Sequence, residues 1–325
     1  MKRYSKLFDK IVDLDNIKLA HKNASKGKKH YTEVKMFNTK PDFYARLIRK
    51  ILIEDTYRTS EYKRKFKNDK GKMREIFVLP YYPDRIIHHA IMQVLEPIWR
   101  KTFITNTYQS IKGRGVHKCK KHLEAVLLDR NITDDIHCFK LDIEKFYPSI
   151  NNEILKQILR RKIKCKPTLS LLDNIIDSTE GVPIGNYISQ FFGNLYLTYF
   201  DHYMKEVIGC KYYFRYCDDI VILDFSKSRL QEVKDIVFIE LAKLKLKVKG
   251  NYQIFKVGET PIERPIDFLG FKFYRKCTLL RDSIAESYRK CEARKEVFAS
   301  YNGWLQHCDG YNLLLKYRKE KLNEN

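Results

Sequence analysis

Two adjacent carboxylates, Asp218 and Asp219, lie between runs of β-branched and aromatic residues in the segment 214–223. This pattern predicts two strands joined by a tight turn, with the acids at its tip. A third acid, Asp142, ends another apolar run, 138–143. Carboxylates brought together on neighbouring strands repel one another, so they require a cation. A few hard oxygen ligands open to solvent suit Mg²⁺ bound jointly with substrate phosphates. Two such ions about 4 Å apart promote in-line attack at a phosphorus atom.

The composition indicates a polyanionic partner. The chain has 325 residues, with 63 Lys and Arg against 40 Asp and Glu, which gives a net charge of +23. A folded protein this basic most often binds nucleic acid, although a merely soluble basic surface is the alternative. No apolar run approaches the ~18 residues that a membrane span needs. The eight cysteines include no CxxC pair, which argues against zinc and favours a reducing, cytoplasmic location.

The elements that must position the acids form a mixed pattern of helices and strands. A hairpin is predicted at 62–78, with its turn at 68–71. Apolar spacing and polar punctuation predict helices over much of 1–60, after Pro83-Asp84, over about 186–207, over about 228–245 and in the tail from about 282. The helix near 228 is expected to begin with a capping box formed by Ser228 and Gln231. Together these elements indicate an α+β fold in one continuous catalytic body.

Two of these segments resemble motifs of a known family. LDIEKFYPSI at 141–150 resembles the first metal-binding motif of reverse transcriptases, and YCDD at 216–219 resembles their YxDD motif. A YxDD sequence alone recurs by chance, but both motifs in suitable strand contexts are specific. The resemblance covers most of the chain and implies a right-hand polymerase fold. It places N-terminal helices, the fingers and part of the palm in 1–130. The palm with the catalytic motifs, an antiparallel sheet backed by helices, is placed in 131–280, and a short helical thumb in 281–325.

The resemblance also implies what the acids do. Asp142, Asp218 and Asp219 would be the catalytic, metal-binding carboxylates, and the backbone carbonyl of Ile143 would add a ligand. The cofactor would be two Mg²⁺ ions, for which Mn²⁺ can substitute. One ion lowers the pKa of the primer 3′-hydroxyl, and the other stabilises the pyrophosphate leaving group. The implied activity is RNA-directed DNA polymerisation from deoxynucleoside triphosphates.

Further site residues follow from the same resemblance. Nucleotide binding would use residues of the hairpin, of the first motif and of two later segments, namely Lys67, Arg74, Tyr147, Ile184, Gly185 and Lys249. Tyr147 is expected to exclude a ribonucleotide 2′-hydroxyl, although a core aromatic is the alternative, and Lys243, Lys245 and Lys247 compete with Lys249. Template and primer binding would use Arg85, Gly113, Arg114, Gln190, Tyr216, Cys217, Leu269 and Gly270. His88 and His89 are expected to be structural.

The segment 181–190, GVPIGNYISQ, indicates a subgroup. Ile184 stands where ordinary reverse transcriptases have glutamine, and Gln190 stands where proline is common. This pattern and the tail at 300–313 resemble reverse transcriptases of diversity-generating retroelements of bacteria and phages. The resemblance implies copying of a template-repeat RNA with errors at template adenines, mutagenic retrohoming into a target gene, and an oligomeric basic accessory protein as a partner. Isoleucine cannot hydrogen-bond the nascent pair, so discrimination would weaken.

Two alternatives remain open. The first is a phage-defence or retron-type reverse transcriptase with the same site, and the second is a non-catalytic RNA-binding scaffold. Retention of the three acids, Tyr147 and Arg74 disfavours the scaffold. No ribonuclease H, endonuclease or integrase segment is recognised, so strand removal and integration are expected to depend on other proteins.

Overall fold

The computed structural model describes residues 3–69, 72–290 and 295–310. Within them the α-helices are α1 Phe8–Ile11, α2 Leu14–Ala24, α3 Thr32–Thr39, α4 Pro41–Ile53, α5 Ile86–Arg100, α6 Val116–Leu127, α7 Phe146–Ser149, α8 Asn152–Arg160, α9 Lys166–Ile176, α10 Tyr187–Tyr196, α11 Thr198–His202, α12 Lys227–Lys243, α13 Asp282–Lys290 and α14 Lys295–Leu305. The strands are β1 Lys63–Asp69, β2 Lys72–Val78, β3 His137–Asp142, β4 Tyr212–Tyr216, β5 Asp219–Asp224, β6 Gln253–Lys256, β7 Ile266–Phe268, β8 Phe271–Phe273 and β9 Thr278–Leu280. A kinked turn, Tyr81–Arg85, in which Tyr82 is extended (φ −107°, ψ 130°), precedes α5, and a π-helical turn, Tyr203–Val207, follows α11.

The described strands form three antiparallel sheets. β1 pairs with β2, the order of the four-stranded sheet is β4-β5-β3-β6, and β7, β8 and β9 form a three-stranded meander. β3 therefore lies between β5 and β6 and is hydrogen-bonded on both edges. Its apolar residues Phe139 and Leu141 are buried, as expected for a central strand. The mixed helix and sheet architecture with antiparallel sheets confirms the predicted α+β class.

The chain divides into two compact units. The first consists of the described residues within Met1–Ile104, Glu144–His202 and Glu240–Lys247, and the second of those within Thr105–Ile143, Tyr203–Ile239 and Val248–Asn325. The first unit holds the β1–β2 hairpin and most of the helices. The second holds the four-stranded sheet and the meander, and therefore the three acids. The predicted division into fingers, palm and thumb remains a prediction.

The core of the first unit is built around α5. Its residues Ile87, Ile91 and Leu95 recur at helical spacing and are fully buried, and the helix packs against α2 and α10. Trp99 on the last turn of α5 lies 6.3 Å from the ring of Phe191 on α10. Burial of each of these large apolar side chains contributes roughly 1.5–3 kcal/mol to folding. The helix predicted after Pro83-Asp84 is confirmed.

The core of the second unit joins the sheets to three helices. Buried side chains from α6, from the four-stranded sheet, from the meander and from α13 and α14 form one cluster that includes Leu123, Val221, Phe268, Phe271 and Tyr288. Alternation along the short strands directs Phe271 and Phe273 to this cluster and Lys272 away from it. The cluster holds the meander on the body of the unit.

Two details of the predicted helices are wrong. The helix near 228 begins at Lys227, and the backbone N–H of Arg229 donates to the hydroxyl of Ser226, at 3.2 Å. Ser226 is therefore the capping residue, because it directly precedes the first helical residue, whereas Ser228 lies within the first turn. The helix predicted over 186–207 is interrupted at Leu197 and ends in a π-helical turn.

Some predictions extend beyond the described residues. In the turn predicted at 68–71, residues 70 and 71 are not described. In the segment 300–313, residues 311–313 are not described. In the thumb predicted at 281–325, residues 291–294 and 311–325 are not described. Among the described helices, none is long and apolar enough to cross a membrane.

Candidate active site

The three acids meet at one end of the central sheet in the second unit. Asp142, the last residue of β3, is the register partner of Asp219, the first residue of β5. Asp219 also pairs with Tyr216, the last residue of β4, so Cys217 and Asp218 form the turn of the β4–β5 hairpin. The strand, turn and strand arrangement predicted from the sequence is confirmed.

Backbone contacts fix the conformation of this turn. Cys217 has a φ of 60°, a left-handed conformation that is uncommon for residues other than glycine. Arg215 on β4 is fully buried, and its guanidinium donates to the carbonyl of Cys217, at 3.0 Å. The backbone N–H of Ile143 donates to the carbonyl of Asp218, at 3.3 Å. Two hydrogen bonds thus hold the turn, one from the side chain of Arg215 on β4 and one from the backbone of Ile143, the residue after β3.

The electrostatics of the turn disfavour three simultaneous negative charges. Burial raises the pKa of Asp218, and the charge of Asp142 raises it further. Burial also raises the pKa of Asp219 to about 6; the charges of Asp142 and Asp218 add to the rise, and Lys140 and Arg281 oppose it. A cation between the carboxylates would remove this repulsion.

The residues present fit a divalent cation in part. Asp142 Oδ1 is buried and accepts no hydrogen bond, which leaves one carboxylate oxygen available to a metal ion. Asp142 Oδ2 is paired with the ammonium of Lys249. No group of three or more His, Cys, Asp or Glu side chains in the described parts of the chain is arranged to hold a metal ion by itself. A cation here would need further oxygen ligands, such as water or substrate phosphate.

Other predicted residues of the second unit lie in two turns. Leu269 and Gly270 form the β7–β8 turn, with φ values of 55° and 86°. Gly113 lies in the loop before α6 with a φ of 79°, and the guanidinium of the next residue, Arg114, donates to the carbonyl of Thr107, at 2.8 Å. These positions are compatible with backbone approach to a nucleic acid strand, and their predicted roles stay predictions.

In the first unit, the loop 181–186 brings three predicted nucleotide-binding residues together. The backbone N–H of Val182 donates to the carbonyl of Tyr147, at 2.9 Å, and that of Phe77 on β2 donates to the carbonyl of Ile184, at 2.8 Å. Gly185 has a φ of 122°, and a Cβ atom there would lie 2.5 Å from the carbonyl oxygen of Phe77. The loop thus connects Tyr147 to the base of the β1–β2 hairpin, and only glycine fits position 185 without strain.

The position of the Tyr147 ring requires a residue without a side chain at position 193. A Cβ atom on Gly193 of α10 would lie 3.0 Å from Cε1 of Tyr147 and 3.1 Å from a ring atom of Phe146. Phe146 is buried, whereas Tyr147 is only partly buried. Phe146 therefore belongs to the core, whereas Tyr147 keeps part of its surface exposed, and the predicted role of Tyr147 stays a prediction.

The β1–β2 hairpin places two cations opposite each other. Lys67 and Arg74 are register partners, so their side chains lie on the same face of the hairpin. Like charges directly opposite one another are destabilising. An anionic group bound between them would offset that repulsion, as a triphosphate could.

Arg85 and Gln190 share a cavity of about 290 Å³ in the first unit. Its lining also includes Lys28, His88, His89 and Tyr187. The rings of His89 and Tyr187 are stacked, with centroids 4.6 Å apart. Sequence reasoning did not select Lys28, which lies in no recognised motif, or Tyr187, although Tyr187 lies in the segment 181–190 together with Gln190. Aromatic rings beside cations are the combination that binds unpaired nucleotides.

Comparison with known proteins gives a family match that includes the three acids and the β1–β2 hairpin. The family described as "Reverse transcriptase (RNA-dependent DNA polymerase)" matches residues 63–273. Protein YkfC of Escherichia coli (strain K12) is 29% identical over 147 residues, which are 42% of this chain and 38% of that protein. Nuclear intron maturase 4, mitochondrial, of Arabidopsis thaliana is 24% identical over 145 residues, 41% of this chain and 18% of that protein. The chain thus spans less than half the length of these curated relatives.

Solved structures show a similar fold. The apo telomerase from Candida tropicalis superposes with a TM-score of 0.54 at 16% identity, over 74% of this chain and 51% of that one. The telomerase from Candida tropicalis in complex with the TWJ fragment of telomeric RNA gives a TM-score of 0.52 at 14% identity, over 77% and 49%. These similarities agree with the expected right-hand polymerase fold.

Proposed function

This chain belongs to the reverse transcriptase family, and from that premise we propose that it is an RNA-directed DNA polymerase. The observation that carries the proposal is the meeting of Asp142, Asp218 and Asp219 at one end of the central sheet, with Asp142 Oδ1 buried and without a hydrogen bond. Carboxylates in such an arrangement suit divalent cations that also bind phosphate oxygens.

Each group of residues has a defined part in this function. The three acids, with the carbonyl of Ile143, would hold Mg²⁺, or Mn²⁺ in its place, and the ions would activate the 3′-hydroxyl and stabilise the leaving pyrophosphate. Lys67 and Arg74 would bind the triphosphate as a cationic pair. The remaining predicted contacts divide between the nucleotide (Tyr147, Ile184, Gly185 and Lys249) and the template and primer strands (Arg85, Gly113, Arg114, Gln190, Tyr216, Cys217, Leu269 and Gly270). The β7–β8 hairpin would hold the primer end.

The substitution Asp218→Asn tests this proposal. It removes one negative charge from the turn and keeps the shape of the side chain, so we expect primer extension with Mg²⁺ to fall by about 10³-fold or more. RNA binding, measured by fluorescence anisotropy, should change less than threefold, because binding depends mainly on basic residues.

A matched control lies on the same strand. Asp224 is the last residue of β5 and the register partner of His137, at the opposite end from Asp219. Asp224→Asn removes the same charge from the same strand and should leave primer extension within about threefold of the unaltered chain. Polymerisation retained by Asp218→Asn would contradict the proposed site.

We further propose that the polymerase serves a diversity-generating retroelement. The support is the sequence pattern around Ile184, whose carbonyl accepts a hydrogen bond from Phe77 at the base of the hairpin. An aliphatic side chain there would leave base pairing and shape to select the nucleotide, so errors at template adenines are expected. The product would be mutated cDNA of a template-repeat RNA.

The substitution Ile184→Gln tests the part played by this residue. Sequencing of cDNA made from one defined RNA should show error concentrated at template adenines for the unaltered chain and several-fold less with glutamine. Ile262→Gln is the matched control, because that isoleucine is 98% exposed in the second unit. Equal error at all four template bases would remove the adenine proposal, and an unchanged spectrum in Ile184→Gln would remove the role of Ile184.

The working complex would contain template RNA and an oligomeric basic accessory protein. Two basic proteins repel one another, since this chain alone has a net charge of +23. Bound RNA would offset that repulsion, so assembly should be stronger with the template RNA than without it. Within the chain, we propose N-terminal helices, fingers and part of the palm in 1–130, the palm with the catalytic motifs in 131–280, and a short helical thumb in 281–325.

A further inference from the structure

Asp267 on β7 is bonded to two cations from other parts of the second unit. The ammonium of Lys140 on β3 donates to the backbone carbonyl of Asp267, at 2.5 Å. The Nε–H of Arg281, just before α13, donates to Asp267 Oδ1, at 2.6 Å. The β7–β8 hairpin is thereby connected both to the central strand of the four-stranded sheet and to the start of a helix.

Arg281 also holds the turn of this hairpin. Its backbone N–H donates to the carbonyl of Gly270, at 3.0 Å. A Cβ atom on Gly270 would lie 2.9 Å from Cζ3 of Trp304 and 3.0 Å from Cδ1 of Ile284. The turn therefore packs closely against α13 and α14, and Arg281 contacts the hairpin through its backbone at Gly270 and through its side chain at Asp267.

The same two cations act on the acids. Lys140 precedes Asp142 by two residues on β3, so the two side chains lie on one face of the strand. The charges of Lys140 and Arg281 both oppose the effect of burial on the pKa of Asp219. The groups that bind the hairpin are therefore also close enough to influence an acid of the candidate active site.

Stability alone does not account for this arrangement. The side chains of Arg281 and Asp267 are 38% and 46% exposed, and ion pairs that are this exposed contribute little to the free energy of unfolding. A bond that adds little stability can still restrict geometry, because it selects one position of the hairpin relative to β3.

We propose that Lys140, Asp267 and Arg281 form a positioning linkage, which fixes the β7–β8 hairpin against β3 and thereby sets the primer 3′ end beside Asp142 and Asp219. The inference rests on the proposed polymerase function and extends it to residues that touch neither the nucleotide nor the metal ions. Loss of the linkage should weaken primer placement more than it slows the addition of a correctly placed nucleotide.

Steady-state primer extension with four variants tests the linkage. Arg281→Gln and Asp267→Asn should each raise the KM for primer–template about tenfold and shorten the products, and they should lower kcat less than they raise KM. Lys140→Met should act in the same direction. Arg281→Lys, which keeps the charge but loses the planar donor geometry, should give an intermediate KM.

Another exposed ion pair of the second unit offers a matched control. Arg229 on α12 is ion-paired with Glu232, at 3.0 Å, and the two side chains are 40% and 65% exposed. Arg229→Gln should leave the KM for primer–template within about twofold of the unaltered chain. Thermal unfolding identifies any variant that has lost its fold. If Arg281→Gln is such a variant, the KM of the more conservative Arg281→Lys still tests the linkage.

A binding measurement separates this inference from the proposed function. Fluorescence anisotropy of a labelled primer–template, with Arg281→Gln added to the inactive Asp218→Asn chain, should show about tenfold weaker binding. An unchanged Kd and KM in folded variants, or a loss confined to kcat, would overturn the linkage. A chain that binds primer–template through the linkage but never extends it would overturn the polymerase proposal and leave the linkage intact.

Discussion

His88 is fully buried, and its Nε2 has no hydrogen-bond partner. Burial lowers its pKa to about 4; the nearby charges of His89 and Arg85 lower it, and Asp84 raises it. An unfolded histidine titrates near 6.5. As the pH falls from 6.5 to 4, the unfolded chain binds a proton that the folded chain excludes, so the free energy of unfolding decreases.

The substitution His88→Gln should remove this part of the acid sensitivity. Between pH 7 and pH 4.5, the unaltered chain should lose about 2–3 kcal/mol more free energy of unfolding than the variant, as measured by urea denaturation. His30→Gln, at an exposed histidine, should retain the full loss. The same pH dependence in His88→Gln and in the unaltered chain would contradict the assignment.

Individual residues differ in how far the sequence could predict them. The positions of Asp142 and Asp219 at strand ends, and of Asp218 in the turn, followed from local alternation and turn chemistry, and the structure confirms them. The contact between Lys140 and Asp267 could not be predicted, since the two residues are 127 apart in sequence. Local patterns report which residues prefer a strand or turn, but they carry no information on such distant partners.

At the scale of elements, the loop 181–186 is tightly constrained by contacts with Tyr147 and Phe77. The substitution Gly185→Ala would force a Cβ atom to within 2.5 Å of the carbonyl oxygen of Phe77, in a backbone conformation with φ of 122°. We expect a loss of roughly 2–4 kcal/mol in the free energy of unfolding. Nucleotide incorporation should fall as well, because the bond between Phe77 and Ile184 would be displaced.

Gly27 provides the control for this prediction. It also has a positive φ, 71°, but nothing lies within 4 Å of a Cβ atom built on it. Gly27→Ala should therefore cost only the backbone strain, roughly 1 kcal/mol. Urea denaturation of both variants separates the clash from the strain, and equal losses would show that the close approach to Phe77 does not matter.

The sequence predicted which elements exist better than where they begin. The β1–β2 hairpin was predicted from its turn at 68–71, and α5 was predicted from helical spacing. The start of α12 was wrong, because Ser226 and Ser228 are equally good capping residues and only the observed hydrogen bond to Arg229 distinguishes them. The break at Leu197 depends on tertiary packing, which local propensity does not encode.

For the whole molecule, the excess of 23 positive charges is the property that composition fixes without any structure. Such an excess predicts attraction to nucleic acid and a dependence of binding on salt. Composition does not show where the basic side chains lie. The structure locates some of them: Lys67 lies opposite Arg74 on the β1–β2 hairpin, and Lys28 and Arg85 line the same cavity of the first unit.

RNA binding by the inactive Asp218→Asn chain should weaken steeply as salt increases. With six or more phosphates contacted, log Kobs should fall with log salt at a slope near −4 or steeper, which is at least about 100-fold between 50 and 200 mM. Lys28→Gln should reduce the magnitude of that slope by about 0.7, because one released counterion is lost. Lys156 is paired with Glu153 and Asp177, so Lys156→Gln should leave the slope unchanged. A flat salt dependence measured by anisotropy would contradict a phosphate-dominated interface, and identical slopes in Lys28→Gln and the parent would exclude Lys28 from it.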